Sequence, residues 1–287
     1  MPRTATALDL VAALDAQWAL LVEAVAAIGA EDWHAPSALP GWRLADLAGH
    51  LVGSAHSSDQ VRPAIGASAP LSVGGYLAAY AGAAAAVTAA ARTVADGADP
   101  DGADPDDVAA LLRPAVTGQL RVLTELASRP GADRLVVTTH RGPLRLVDHV
   151  ATRLIEVVVH ADDLERSVDA RGAPPAGPVG GPGRRAGTSP PWLAGGALRA
   201  VCRTLAGVLA ERYPGHAVEL RVPPVTAVQC VAGPRHTRGT PPNVVETDPL
   251  SWLRLAAGRV RWSELTADGR VRASGDRSDL SGLLPLL

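Results

Sequence analysis

Residues 143–168 read PLRLVDHVATRLIEVVVHADDLERSV, and this stretch decides the fold of the first half of the chain. Its apolar residues recur every three or four positions, as they do along the buried face of an amphipathic helix. The pattern predicts one long helix over 143–168 with a face directed at a core. The residues just before it, LVVTT at 135–139, are rich in β-branched side chains and predict a short extended segment.

Further helices are predicted upstream of this stretch. Residues 6–29 carry large aliphatic residues at a heptad-like spacing, which is typical of a helix in a bundle. The turn HAPSALPGW, residues 34–42, ends that pattern, and a second helix is predicted after it. A third helix is predicted over 75–94. Pro105, followed by two aspartates, suits the first turn of a fourth helix that ends near Ser128.

The composition changes after residue 169. Residues 170–191 contain little but glycine, proline, alanine and a few polar residues, so they cannot bury a core and are predicted to form a linker. Residues 192–287 alternate helical patterns with short β-rich runs such as AVELRV and TAVQCVA, and end in a predicted helix near 277–284. We therefore predict a mainly helical domain over 1–169 and a smaller α+β domain over 192–287.

The overall composition is that of a globular protein, with 47% hydrophobic and 20% charged residues. The net charge is −2, from 27 basic residues, all of them arginine, against 29 acidic ones. This balance argues against nonspecific nucleic-acid binding. Because no strongly apolar run reaches about 18 residues, we expect a soluble cytoplasmic protein without a membrane partner. Cys202 and Cys230 lie in apolar surroundings and are predicted to be buried free thiols.

One group of residues has the types and spacing of a metal site. Glu156 and His160 are four residues apart in the long helix, so they project from one face, roughly 6 Å apart. His50 lies in RLADLAGHLVG, near the buried seam of the second helix. Two imidazoles and one carboxylate leave a divalent ion such as zinc an open position, as in catalytic zinc sites. Asp162 and Asp163 are either partners that orient His160 or solvated charges.

The spacing alone leaves other interpretations open. A glutamate and a histidine one turn apart occur in many helices that bind no metal. His149 is a competing histidine on the long helix, but it lies about 16 Å along the axis from His160 and cannot share its ion. Arg153 falls on the same stripe, where either Glu156 or an anionic substrate could be its partner.

Two sequence motifs resemble a known family. The stretch ALPGWRLADLAGHL, followed about a hundred residues later by RLIEVVVHADDL, resembles the mycothiol-dependent maleylpyruvate isomerase family, a branch of the DinB-like helical bundles. The resemblance implies that His50, Glu156 and His160 are the metal ligands. DPLSWLRLAAGR and RVRASGDRSDLSGLL are similar to the sterol-carrier-like domain that often follows this bundle. The implied fold is a mainly α, DinB-like four-helix bundle followed by a smaller α+β sterol-carrier-like domain.

The resemblance also implies an activity. The metal ion, most simply zinc, holds an external thiol of the mycothiol type and lowers its pKa, so that thiolate forms near neutral pH. The thiolate adds to a small, electrophilic, anionic substrate, with isomerisation or net thiol transfer as the outcome. Arg153 is a candidate for holding the substrate carboxylate. Two alternatives stay open: a non-catalytic small-molecule or lipid-binding protein with a metal site, and a metal-dependent hydrolase whose nucleophile is bound water.

A second arginine is expected from the C-terminal domain. Members of the resembled family use an arginine from that domain at the active site. The loop GPRHTRGTPPN, residues 233–243, is bounded by glycine and proline, and loops carry function more often than cores do. Arg238 in this loop and Arg259, at the end of the predicted helix over 248–259, are the two candidates.

Overall fold

A computed structural model describes residues 5–64, 69–79, 82–97, 104–170, 191–233 and 243–287. The chain divides into two compact units, Met1–Ala197 and Leu198–Leu287. The helices of the first unit are α1 (Ala7–Ala26), α2 (Leu44–His56), α3 (Val73–Ala78), α4 (Ala84–Asp96), α5 (Pro105–Ala127) and α6 (Leu146–Asp169). Its strands are β1 (Arg62–Pro63), β2 (Val136–Thr139) and β3 (Gly142–Arg145). Of the predicted linker, residues 171–190 lie outside the described residues.

The helical part of the fold confirms the prediction from periodicity. In α1 the predicted stripe is buried, and the helix begins with a capping box in which Thr6 and Asp9 each accept a hydrogen bond from the other's backbone N–H. The long predicted helix is α6, which packs against α1, α2 and α5. Its aliphatic residues Val150, Leu154 and Val157 are buried. This central position gives α6 fixed neighbours along most of its length.

The structure corrects three of the predicted elements. The long helix begins at Leu146, because the residues before it form β3, an edge strand on which Pro143 needs no N–H partner. The third helix is two helices, α3 and α4, separated around Gly82, a residue that weakens a helix interior. The predicted helix near 277–284 is only a 3₁₀ turn over Ser281–Leu283. Its sequence holds Gly282 and is followed at once by Pro285, so too few residues remain for a stable helix.

The extended segment predicted at 135–139 is β2, the middle strand of a three-stranded antiparallel sheet. Thr139 pairs with Gly142 across the β2–β3 hairpin, so His140 and Arg141 form its two-residue tip. Gly142 has a φ of 121°, which side-chain-bearing residues rarely adopt, and so it fixes the geometry of this turn. The partner strands β1 and β3 were missed by the sequence analysis.

A buried hydrogen-bond network ties the end of α2 to its neighbours. The Gln119 side chain on α5 accepts a bond from Trp18 Nε1 at 2.8 Å and donates to the backbone carbonyls of Ser54 and Ala55 at 3.0 Å each. Because buried polar groups that lose their partners are costly, this amide fixes the positions of α1, α2 and α5 relative to one another.

Close packing of α2 on α4 depends on one glycine. A Cβ atom at Gly49 would lie only 2.4 Å from the backbone oxygen of Ala91. Any side chain at this position would therefore push the two helices apart. The shift of α2 would also displace His50, the next residue in the sequence.

The second unit is α+β, as predicted. Its elements are α7 (Gly195–Arg212, which begins in the first unit), β4 (Val218–Val222), β5 (Thr226–Cys230), β6 (Val244–Thr247), α8 (Pro249–Ala256), α9 (Trp262–Ala267) and β7 (Val271–Ser274). The strands form a sheet in the order β5-β4-β6-β7, in which β4 and β6 are parallel. Cys202 and Cys230 are buried free thiols, and burial raises their pKa values to about 12 and about 11. The helix α9 was not predicted.

Candidate metal centre

The structure brings together the three side chains that the sequence singled out as metal ligands. His50 comes from α2, while Glu156 and His160 come from consecutive turns of α6. His50 Nε2 lies 3.3 Å from Glu156 Oε1, and the imidazole rings of His50 and His160 are 4.7 Å apart between centroids. Each of the three side chains is 14% exposed, so the cluster is largely buried but reachable.

Asp163 orients His160. The Nδ1 atom of His160 lies 3.1 Å from Asp163 Oδ2, and Asp163 is fully buried. A carboxylate on one ring nitrogen leaves the other, Nε2, as the nitrogen for a ligand bond. Burial lowers the pKa of His160 below its ordinary value and outweighs the opposing effect of Asp163, so the neutral imidazole is favoured near pH 7. A neutral imidazole is the form that binds a metal ion.

Arg153 is buried against Glu156. Its Nη1 atom lies 2.5 Å from Glu156 Oε2 and 3.0 Å from Ser57 Oγ, and only 2% of the arginine side chain is exposed. Burial alone would raise the pKa of Glu156, but the Arg153 guanidinium and the His50 imidazole outweigh it and hold that pKa far below its ordinary value. Two partners were considered for Arg153, and in the structure it pairs with Glu156. This pairing keeps the Glu156 carboxylate ionised.

The donor set can be tested against a divalent ion. Two donors of one tetrahedral zinc ion, each about 2.1 Å from it, lie about 3.4 Å apart, which is close to the His50–Glu156 separation of 3.3 Å. The ionised Glu156 and the neutral His160 also fit. Within the described part of the chain, however, no three His, Cys, Asp or Glu side chains are arranged as a group that could hold an ion, so the three side chains lie near one another without forming a complete ligand set. The residue types and one spacing fit a metal ion, and the complete site stays a prediction.

Asp163 offers a direct check on this prediction. We expect Asp163→Asn to weaken zinc binding by roughly 10- to 100-fold, because the amide cannot hold the His160 ring as firmly as the carboxylate does. The dissociation constant can be measured by competition with a chromophoric chelator. The control is Asp148→Asn on the same helix, whose carboxylate pairs with Arg145 instead. Equal zinc affinity in the wild type and Asp163→Asn would contradict the orienting role.

A cavity of about 240 Å³ opens beside the cluster. His50, Arg153 and Glu156 line one part of it, and the hairpin tip, His140 and Arg141, lines another. The remaining lining residues are small or aliphatic, apart from two serines, and come from α2, its C-cap Ser57 and α4: Gly49, Gly53, Ser54, Val87, Ala90, Ala91 and Val94. The cluster therefore faces a space that accepts a small molecule.

Sequence reasoning missed the hairpin residues of this cavity. His140 had no assigned role, and Arg141 was not considered. The signal that was available is the dipeptide HR between TT and G, a turn beside the extended segment. The roles of the two C-terminal arginines stay predictions: Arg259 follows α8 in the second unit, where its Nη1 donates to the carbonyl of Ala257 at 2.9 Å, and Arg238 lies outside the described residues.

Comparison with known proteins gives two family matches. Residues 14–165 match the family model described as the mycothiol maleylpyruvate isomerase N-terminal domain. Residues 196–286 match the model described as a bacterial SCP ortholog. No curated protein matches the chain.

Solved structures give the same comparison at the level of the fold. The crystal structure of a mycothiol-dependent maleylpyruvate isomerase is 17% identical to this chain, with a TM-score of 0.56. A histidine-to-alanine mutant of such an isomerase is 16% identical, with a TM-score of 0.55. Both matches cover 96% of this chain and 97% of the other. At this identity they establish a shared fold.

Proposed function

The chain belongs to the family of the mycothiol maleylpyruvate isomerase N-terminal domain, and from this premise we propose that it is a metal-dependent enzyme that uses a thiol of the mycothiol type. The reaction is isomerisation of a small electrophilic anion, or transfer of the thiol to it. The observation that carries the proposal is the meeting of His50 with Glu156 and His160 at the edge of a cavity.

His50, Glu156 and His160 are the residues proposed to hold the ion, with zinc as the simplest choice. A divalent ion bound by three protein donors supplies an open coordination position at which a thiol loses its proton near neutral pH. The chain's own residues prepare this position. Asp163 orients His160, Arg153 keeps Glu156 ionised, and aliphatic side chains of α4 form an apolar wall of the cavity.

An external thiol is favoured by the state of the protein's own cysteines. Both are buried in the second unit, with pKa values raised to about 12 and about 11, so neither forms thiolate near neutral pH. A thiolate nucleophile must then come from a small molecule. We propose no nucleic-acid or membrane partner. None of the helices in the described residues has the length and apolarity to cross a membrane, and the cytoplasmic location stays a prediction from sequence.

Cobalt substitution tests the proposal. Addition of mycothiol to the cobalt-loaded protein is expected to produce a thiolate-to-cobalt absorption band in the near ultraviolet, because sulfur enters the open position. Isomerisation of maleylpyruvate is expected only when the metal and the thiol are both present.

The matched control ligand is mycothiol methylated on sulfur, which should give neither the band nor turnover. A spectrum that does not change with mycothiol would refute the thiol mechanism. Ester or amide hydrolysis by the metal-loaded protein without thiol would instead identify a hydrolase, and an absence of turnover with a bound apolar ligand would identify a carrier.

A further inference from the structure

The cavity beside the cluster has a polar wall that the proposed metal site does not use. This wall is the hairpin tip, His140 and Arg141, together with Ser54 of α2. The Ser54 side chain is buried, with 3% of the residue exposed, and its Oγ atom has no hydrogen-bond partner among the described residues. A buried hydroxyl in this condition is costly unless a ligand or water pairs with it. The wall is therefore suited to a ligand that carries oxygen atoms.

Arg141 is held in place by an aromatic ring. Its guanidinium carbon lies 5.6 Å from the ring centroid of Tyr76, a fully buried residue of α3. The ring of His140 lies 6.3 Å from the same tyrosine, at 77°. A guanidinium over an aromatic face is attracted to the ring as a cation, and its N–H groups donate in the guanidinium plane, where they match the two oxygens of a carboxylate. The contact favours one position of the guanidinium beside the cavity, which lowers the cost of ordering it when an anion binds.

The charge and shape of the cavity point to the same ligand class. The charged residues that line it are two arginines, Arg141 and Arg153, against one carboxylate, Glu156. On α2, a Cβ atom at Gly53 would meet nothing within 4 Å, so this glycine leaves space in the cavity rather than a packing contact. The aliphatic wall of α4 suits a short carbon skeleton.

We propose that Arg141 is a specificity-determining residue, which binds a carboxylate of a small substrate whose carbon skeleton lies over Gly53. The proposal rests on the proposed function, since it places the electrophile next to the metal and thiol. Ser54 Oγ donates a hydrogen bond to a second oxygen of the substrate. Arg153 then serves Glu156 and not the substrate, because its position is buried and paired.

The experiment compares a charged ligand with a neutral one. Binding of maleate, a four-carbon dicarboxylate, and of its uncharged diamide is measured by calorimetry on the metal-loaded protein without thiol. The wild type is expected to prefer maleate, and Arg141→Gln is expected to weaken maleate binding by about 10- to 100-fold, with little change for the diamide. Arg141→Lys should restore part of the preference. Arg145→Gln, at the far end of the same hairpin and outside the cavity lining, should behave as the wild type.

A second pair of variants tests the position of the ligand. Gly53→Leu is expected to weaken both maleate and diamide at least 10-fold, since its side chain enters the cavity, whereas Gly53→Ala should retain binding. Both substitutions favour the helix over glycine, so folding is preserved. An unchanged preference in Arg141→Gln, equal losses of both ligands in Arg141→Gln, or full binding by Gly53→Leu would each overturn the proposal.

The proposed function fails by a different observation. Its failure is a missing thiolate-to-cobalt band in the wild type. The band should persist in Arg141→Gln, because Arg141 is not among the proposed ligands. A band that persists together with an unchanged maleate preference would overturn only the specificity role, and a missing band with an Arg141-dependent preference would overturn only the thiol mechanism.

Discussion

Replacing His160 with alanine is expected to reduce bound zinc from about one equivalent per chain to near zero, and to abolish thiol-dependent turnover with it. A catalytic zinc site has three protein ligands, and a site left with two loses most of its affinity. The other histidine of α6, His149, cannot replace it, because it lies about 16 Å away along the helix axis. Zinc content after loading and desalting, measured by elemental analysis, checks the prediction.

The control for this substitution is His56→Ala. His56 is on α2, as His50 is, but it is exposed and pairs with Asp59 at 2.8 Å. This variant should keep its zinc and its turnover. Unfolding curves of the metal-free proteins should be similar for the wild type and His160→Ala, which would separate loss of the site from loss of the fold. Equal zinc content in the wild type and His160→Ala would end the metal hypothesis.

Replacing Arg153 with methionine is expected to lower the free energy of unfolding of the metal-free protein by about 3–5 kcal/mol. The reason is that the Glu156 carboxylate would stay in a largely buried position without its main positive partner. Breaking a buried ion pair from one side costs this much because the remaining charge is uncompensated. Urea denaturation followed by circular dichroism, with EDTA present throughout, measures the change.

The double variant Arg153→Met, Glu156→Gln identifies the cause. Removal of the charge should recover a large part of the stability, because the buried carboxylate is no longer present. Zinc should also recover part of it in Arg153→Met alone, since the ion becomes the counter-charge of Glu156. A single variant as stable as the wild type would show that Arg153 does not hold Glu156 in its charged form.

Much of the fold follows from patterns that are local in sequence. The periodicity of α1 and α6 and the glutamate–histidine spacing on α6 are properties of a single helix, and they predict a shared face without any tertiary information. Because those patterns are local, they also extended the predicted helices wrongly, through the residues of β3 and across the break between α3 and α4. Pairing with β2 and the effect of one glycine outweigh a local helical pattern.

The site itself depended on contacts between distant segments. His50 is about a hundred residues from Glu156, so no helical spacing relates the two; residue type and the family resemblance grouped them, and the structure gives their separation of 3.3 Å. Arg141 had no such link, because its place in the cavity comes from the hairpin and from Tyr76 on another helix. The partner of Arg153 was likewise open in the sequence, since helical spacing allows a pair but does not exclude a substrate.

Gly49 and Gly53 lie one turn apart on α2, on either side of His50, and we expect them to differ in their tolerance of substitution. At position 49 a single added methyl group meets the backbone of α4. A substitution there would displace α2 and with it His50, a proposed metal ligand. Four residues later, at Gly53, the same methyl group meets empty space. The packing of α2 on α4 therefore tolerates a side chain at position 53, while position 49, one turn away, accepts only glycine.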